Sequence, residues 1–366
     1  MAIEPVHLKT SSDINKFKTA DGRRLSSDFH EGGGLIKLAN KNGMEVILTP
    51  YGATTVSIAL PDNIGVVTPV ALGYETLDGY VNGSSFQGAT IGRSGNRIKD
   101  GRYTDPFTGN TVQLGQNNDG NHLHGGNTHW GNILWSVSSI GLGGGIPTVI
   151  FSNYDPAGTS GYPGNVDATL AISLTAGNKL RYQFHATTDA TTVINPTIHT
   201  YFNLDGALSR RTIHDHQLWS TARYHVVVDN LIPTGKLEHV NGTKYDFRRM
   251  RAIGEDFGPE GYDDCLGSYD EKQVFIALSP ITGIQMEVTS DKRTKSAQIY
   301  TGHFLEGAPK DPAGQHGAFC IEPGTLIDAP NQQNLCARVG VNAFTTKESA
   351  FRRDIAYRFT SKATNR

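Results

Sequence analysis

The chain has 366 residues and carries 33 Lys+Arg against 35 Asp+Glu, a formal net charge of -2. With no long run of like charge, nucleic acid and anionic membrane are poor partners. Hydrophobic residues make up 37%, and apolar runs such as Val274 to Leu278 fall far short of the ~20 residues of a spanning helix. Cys265, Cys320 and Cys336 lack Cys-x-x-Cys spacing, which argues against a disulfide framework or a thiolate zinc site. The start, Met1-Ala2-Ile3-Glu4-Pro5, has no basic segment followed by an apolar core, so a soluble, cytoplasmic protein is expected.

Forty-two glycines and sixteen prolines interrupt the chain often, which favours short strands over long helices. In chain order, Gly32-Gly33-Gly34 reads as a surface turn. Period-two alternation follows at Met44, Val46 and Leu48 and at Val56, Ile58 and Leu60, each set placing one strand face in a core. A second glycine run, Gly143-Gly144-Gly145, also reads as a turn, since neither run has a phosphate-loop or dinucleotide pattern. Leu170, Ile172 and Leu174 are joined to Leu180, Tyr182 and Phe184 through Ala176-Gly177-Asn178-Lys179, a hairpin signal. A further hairpin links Val274–Leu278 to Ile284, Met286 and Val288. No sustained 3.6-residue period and no repeat is present, so the expected fold is all-β, a large antiparallel sandwich in one domain over residues 1–366.

Four segments carry chemistry. Gly92-Arg93-Ser94-Gly95-Asn96-Arg97-Ile98 sets two guanidinium groups in a turn-prone stretch. An arginine in such a loop is ordinarily a solvated charge or a clamp on carbonyls, while Arg97 and Asn96 also suit the holding of hydroxyls through fixed-direction donors. In Asn121-His122-Leu123-His124-Gly125-Gly126, histidines two apart on a strand share a side and allow a metal, yet no third ligand stands at typical spacing. The glycines after His124 let a ligand approach the backbone closely. In Ile194–Leu204, His199 lies among β-branched and aromatic residues, where an imidazole either transfers protons or is a hydrogen-bonded core group. In Ala318–Asn331, Glu322 ends an apolar run, either as a costly buried carboxylate or as a surface residue closing an edge strand. One carboxylate with one histidine is minimal equipment for moving protons on and off oxygen.

Together these segments resemble the aldose 1-epimerase family. The resemblance also rests on Thr49-Pro50-Tyr51-Gly52-Ala53, Leu72-Gly73-Tyr74, Gly161-Tyr162-Pro163-Gly164, Leu231-Ile232-Pro233-Thr234-Gly235, Gly261-Tyr262-Asp263 and Asp328-Ala329-Pro330-Asn331, and covers roughly residues 45 to 332. It implies a β-sandwich with an open sugar cleft and interconversion of the α and β anomers of a free aldose. His199 then resembles the family's general acid and Glu322 its general base, with Asn96, Arg97, His124 and Asp263 binding the sugar. The expected partner is a small aldose, the chain a monomer or homodimer, and no metal or other cofactor is implied. Departures fall at Ile198, Asp264, Gly324 and Ile327, where the family often has asparagine, histidine, glutamine and proline. The alternatives are a sugar-phosphate 1-epimerase, for which Arg210-Arg211 and Arg248-Arg249 are available, and a non-catalytic carbohydrate-binding sandwich. A bell-shaped pH profile is expected, since ring opening asks for an ionised Glu322 and a protonated His199 together.

Overall fold

In the computed structural model, the described residues are 7–9, 19, 24–269, 272–306 and 314–361. Nine antiparallel strands form the largest sheet, in the order Ser136–Gly143, Ile146–Asp155, Val166–Leu174, Lys179–Thr188, Phe351–Ser361, Ile284–Ser290, Val274–Leu278, Gln217–Ser220 and Arg251–Ala252. A five-stranded sheet runs from His7–Lys9 through Leu35–Ala39, Glu45–Thr49 and Thr54–Pro61 to Val67–Pro69. The second has the order Ile232–His239, Tyr224–Asp229, Asp263–Gly267, Ser296–Tyr300 and Cys320–Gly324. One buried apolar cluster draws on all three, with Ile36 and Leu38, Phe151 and Leu170, and Ile299 and Ile321 among its members. This is the antiparallel β-sandwich that the alternation predicts. Among the described residues no helix is long and apolar enough to cross a membrane.

Both predicted hairpins form. Val166–Leu174 pairs with Lys179–Thr188 across a turn in which Asn178 takes φ 56, and Val274–Leu278 pairs with Ile284–Ser290 after Gly283 at φ 64. The strand reading needs one correction. Val56 does not share a face with Ile58 and Leu60: the register steps from Ile47↔Ser57 to Leu48↔Thr55, leaving Val56 as the extra residue of a bulge. An unpaired residue reverses the alternation. Val56 therefore packs with Phe29 and Leu77 in a separate cluster, while Ile58 and Leu60 enter the main core.

Two short ladders anchor the chain segments that matter most. Arg97–Ile98 pairs with His122–Leu123, and Thr90–Ile91 pairs with Thr197–Ile198. Around the second, the His199 N–H donates to the Ala89 carbonyl, and the His199 carbonyl accepts from Gly88 N–H. Gly88 has φ +68, and a Cβ there would lie 2.0 Å from the Thr55 carbonyl oxygen, so only glycine fits. Reciprocal backbone bonds between Phe202 and Phe319 then tie this segment to the chain entering strand Cys320–Gly324.

Candidate active site

The second five-stranded sheet supplies one wall. Alternation in register places Cys265, Gln298 and Glu322 side by side in one row and Asp263, Tyr300 and Cys320 in the next. The intervening Leu266, Ala297, Ile299 and Ile321 point the other way, into the core. The period-two rule that buries one face of these strands thus lines up a carboxylate, an amide and a second carboxylate on the other.

His199 comes to Glu322 from the Thr197–Ile198 ladder. Its Nε2 lies 3.7 Å from Glu322 Oε1, and both side chains are 5% exposed. His199 Nδ1 faces Cys320 Sγ at 3.6 Å. Burial pushes the Glu322 carboxyl well above its usual range, reinforced by the nearby charge of Asp263, and burial lowers the His199 imidazole to about 4. Desolvation disfavours the charged form of each group, so it drives the two pKa values past one another. Cys320 has its thiol raised well above 9 by burial, followed by the charges of Glu322 and Asp263.

His124 packs edge-on against His199, ring centroids 5.3 Å apart. Leu123 ends its strand and His124 takes φ 52, so the two histidines of the His-Leu-His run do not act together. Asn96 and His124 are mutually locked: the His124 N–H donates to the Asn96 carbonyl, and the Asn96 N–H donates to His124 Nδ1 at 3.2 Å. Since Nδ1 accepts, the ring proton of neutral His124 sits on Nε2. Burial, then the charges of His199 and Arg97, holds this imidazole well below 6.5. His122 is fixed instead by the Gly115 carbonyl at Nδ1 and the Tyr162 hydroxyl at Nε2. With both nitrogens engaged it has none for a metal.

The two arginines of Arg93-Ser94-Gly95-Asn96-Arg97 separate in the same way. Arg93 is buried against Asp155 at 2.8 Å and the carbonyls of Asp155, Pro156 and Pro163, a structural clamp. Arg97 instead donates through Nε to Asn118 Oδ1 and approaches Asp263 Oδ2 at 3.9 Å. Asp263 Oδ1 accepts from the Gln298 amide at 2.6 Å. The neighbouring Asp264 accepts from the Tyr245 hydroxyl at 2.9 Å. The structure therefore brings His199, Glu322, His124, Asn96, Arg97 and Asp263 into connected contacts.

It also adds residues that the sequence reading did not select. Gln298 joins Asp263 to the Glu322 row, and its only signal is its alternate position in Ser296–Tyr300. Phe86 packs against His124, His129 and His199 at centroid distances of 4.9, 5.4 and 5.9 Å. Nothing in the sequence around Phe86 announces that contact.

His199, Cys320 and Glu322 present one metal-ligand atom each within 4.8 Å of one another. The arrangement suits proton transfer better than chelation. Nδ1 of His199 faces the thiol and Nε2 faces the carboxyl, whereas one ion takes only one of these nitrogens. The raised thiol pKa also disfavours the thiolate that a metal needs.

An antiparallel β-sandwich carrying a buried carboxyl–imidazole pair beside an Arg–Asp–Gln cluster has the groups that proton transfer on a hydroxylated ligand requires. Residues 34–340 match the sequence profile of the aldose 1-epimerase family, and the chain belongs to that family. It is 32% identical over 309 residues to the aldose 1-epimerase of Haemophilus influenzae (81% of this chain, 88% of the relative). It is 33% identical over 300 residues to the galactose mutarotase of Bos taurus (79% and 84%). In structure it resembles an aldose epimerase homologue from C. elegans, with a TM-score of 0.80 at 27% identity, over 90% of this chain and 99% of the other.

Proposed function

We propose that the protein is a cytoplasmic aldose 1-epimerase that interconverts the anomers of a free aldose such as galactose or glucose, with Glu322 as base and His199 as acid. The observation that carries this reading is the 3.7 Å approach of His199 Nε2 to Glu322 Oε1. Ring opening takes a proton from the anomeric hydroxyl and gives one to the ring oxygen. Those two oxygens are bonded to the same carbon, so the base and acid must stand side by side. A pair flanking a glycosidic bond from opposite sides is wider, about 5 Å or more.

Opening begins with the Glu322 carboxylate accepting the proton of the anomeric hydroxyl while His199 Nε2 donates to the ring oxygen. The free aldehyde then turns about its bond to the next carbon. Closure on the other face returns both protons, which leaves the enzyme unchanged. Cys320 supports this assignment: its sulfur, held as the thiol by burial, accepts the Nδ1–H of His199, which leaves Nε2 to exchange the shared proton with Glu322 and to pass it to the ring oxygen. The Nε2–H of His124 is a fixed donor for the oxygen on which charge develops. Arg97, Asn96 and Asp263 hold hydroxyls farther round the ring.

Arg248 gives no support to a phosphate ester as substrate, since its guanidinium is taken by Asp246 at 2.8 and 2.7 Å. Polarimetry of fresh α-anomers of glucose, galactose, xylose and arabinose tests the proposal. Acceleration by wild type that Glu322→Gln lacks supports it, and no acceleration of any of the four refutes it.

A further inference from the structure

Beside Glu322 lies a small crevice whose lining includes Asn96, Asn195 and Thr197 before His199, Gln298 on the neighbouring strand, and Gly324 and Thr325 just beyond the glutamate. Three polar atoms of these residues are buried without a protein hydrogen-bond partner: Thr197 Oγ1, Gln298 Oε1 and Thr325 Oγ1. Gln298 and Thr197 are themselves 7% and 5% exposed. Buried polar groups of this kind are nearly always satisfied, by ordered water where protein is not at hand. The space open to the centre of a water molecule is about 20 Å³. One water needs roughly 10–15 Å³ on that measure and two to four polar partners. The crevice therefore has room for a single hydroxylic oxygen.

Gly324 keeps this space open. It follows Glu322 by two positions on the same strand face and stands opposite Ser296. Its φ is not left-handed, and an added Cβ would meet Asn195 Oδ1 at 3.5 Å and Nδ2 at 3.9 Å, which are ordinary contacts. Neither backbone strain nor a clash requires glycine there.

We propose that Thr197, Gln298 and Thr325 hold one structural water against Glu322, in a site that Gly324 leaves open, and that this water donates a hydrogen bond to the carboxylate. The inference rests on Glu322 being the base. Two of the three partners are hydroxyls and the third an amide oxygen, so the water can donate to Gln298 Oε1 and to Glu322 while accepting from a threonine. Hydration of this kind favours the ionised carboxylate, the form the base requires, in surroundings that otherwise oppose it. Titratable groups facing Glu322 are His199, Asp263 and Cys320, with Tyr201, Tyr300 and Tyr357 behind. Arg97 acts on it through Asp263.

High-resolution crystal structures with and without a bound aldose, and ¹³C NMR titration of the glutamate carboxyls, test the site. One water contacting Glu322 in both crystals is expected, and its loss in Gly324→Ala. The Glu322 titration should then rise by about one pH unit, as expected for losing a hydrogen bond to a charged group. Thr197→Val, which keeps the shape, should give a smaller shift in the same direction. Absence of the water, its replacement by a sugar hydroxyl, or an unmoved Glu322 titration in Gly324→Ala would overturn the proposal. Neither readout needs turnover, so failure of the base assignment itself appears separately, as mutarotation that survives Glu322→Gln.

Discussion

His199 Nε2 and Glu322 Oε1 stand 3.7 Å apart in a buried site that raises the carboxyl and lowers the imidazole. Free side chains have the opposite order, with the carboxyl more acidic than the imidazole. Desolvation of both groups favours the neutral pair over the ion pair, and the arrangement active in ring opening is the isomer with the shared proton on His199. The two groups titrate as a unit.

The pH profile follows from that order. Below about 4 the pair takes up a second proton as His199 titrates. Above the raised value of Glu322 it loses its only proton, so kcat/KM should be bell-shaped, with the acidic limb near 4 and the basic limb above the ordinary carboxylate range. His199→Asn should lower the rate strongly and convert the profile to a single rise through the Glu322 titration. If the mutant kept the basic limb, the proton donor would lie elsewhere, with His124 the next candidate.

Glu322→Gln should cut kcat by about 10²–10⁴-fold, the usual worth of a general base, while sugar binding by calorimetry survives. It should also stabilise the fold in one pH range. A carboxyl raised on folding carries no penalty below its unfolded value near 4.5, where both states hold the proton. As pH rises through the folded value the penalty becomes complete. The variant should therefore melt about 1–3 °C above wild type at pH 8 and with it at pH 4. A lower melting temperature at pH 8 would contradict the burial argument.

His124→Gln should reduce kcat by about 10²-fold with less effect on KM, as for removal of one donor to a developing oxyanion. Because His124 stays neutral through the working range, both limbs of the pH profile should remain where they are. A shifted limb would mean that His124 itself titrates during turnover.

Asp263→Asn should act chiefly on KM, raising it about tenfold or more through loss of a charged hydrogen-bond acceptor. Asp263 accepts from Gln298 and lies 3.9 Å from Arg97, so Arg97→Ala in the same background should add less than it does alone. Full additivity in initial-rate kinetics would separate the two residues.

Cys265, Cys320 and Cys336 are all buried. Burial pushes the Cys265 thiol to about 11 and the Cys336 thiol to about 12, and Cys320 lies well above 9. At pH 7.5 the native protein should be nearly inert to a thiol reagent such as Ellman's, with three thiols released on unfolding. Rapid reaction of the native protein would show that a cysteine opens to solvent.

The local pattern determined the strands by itself, because the period of two at Leu170, Ile172 and Leu174 or at Ile284, Met286 and Val288 depends only on which side of a pleat each residue occupies. It also marked Glu322 as a carboxylate costly to bury and His199 as an imidazole set among apolar neighbours, without deciding whether either is functional. It could not separate Arg93 from Arg97, or His122 from His124, since each pair shares a segment and a chemistry. Tertiary contacts separate them, through Asp155 and Tyr162 for the structural members and through Asp263 and His199 for the others. The bulge at Val56 escaped the pattern because one extra residue shifts register without changing composition. The protonation order of His199 and Glu322 was likewise out of reach, for desolvation depends on every group packed around a site, and those groups converge only when distant strands pair.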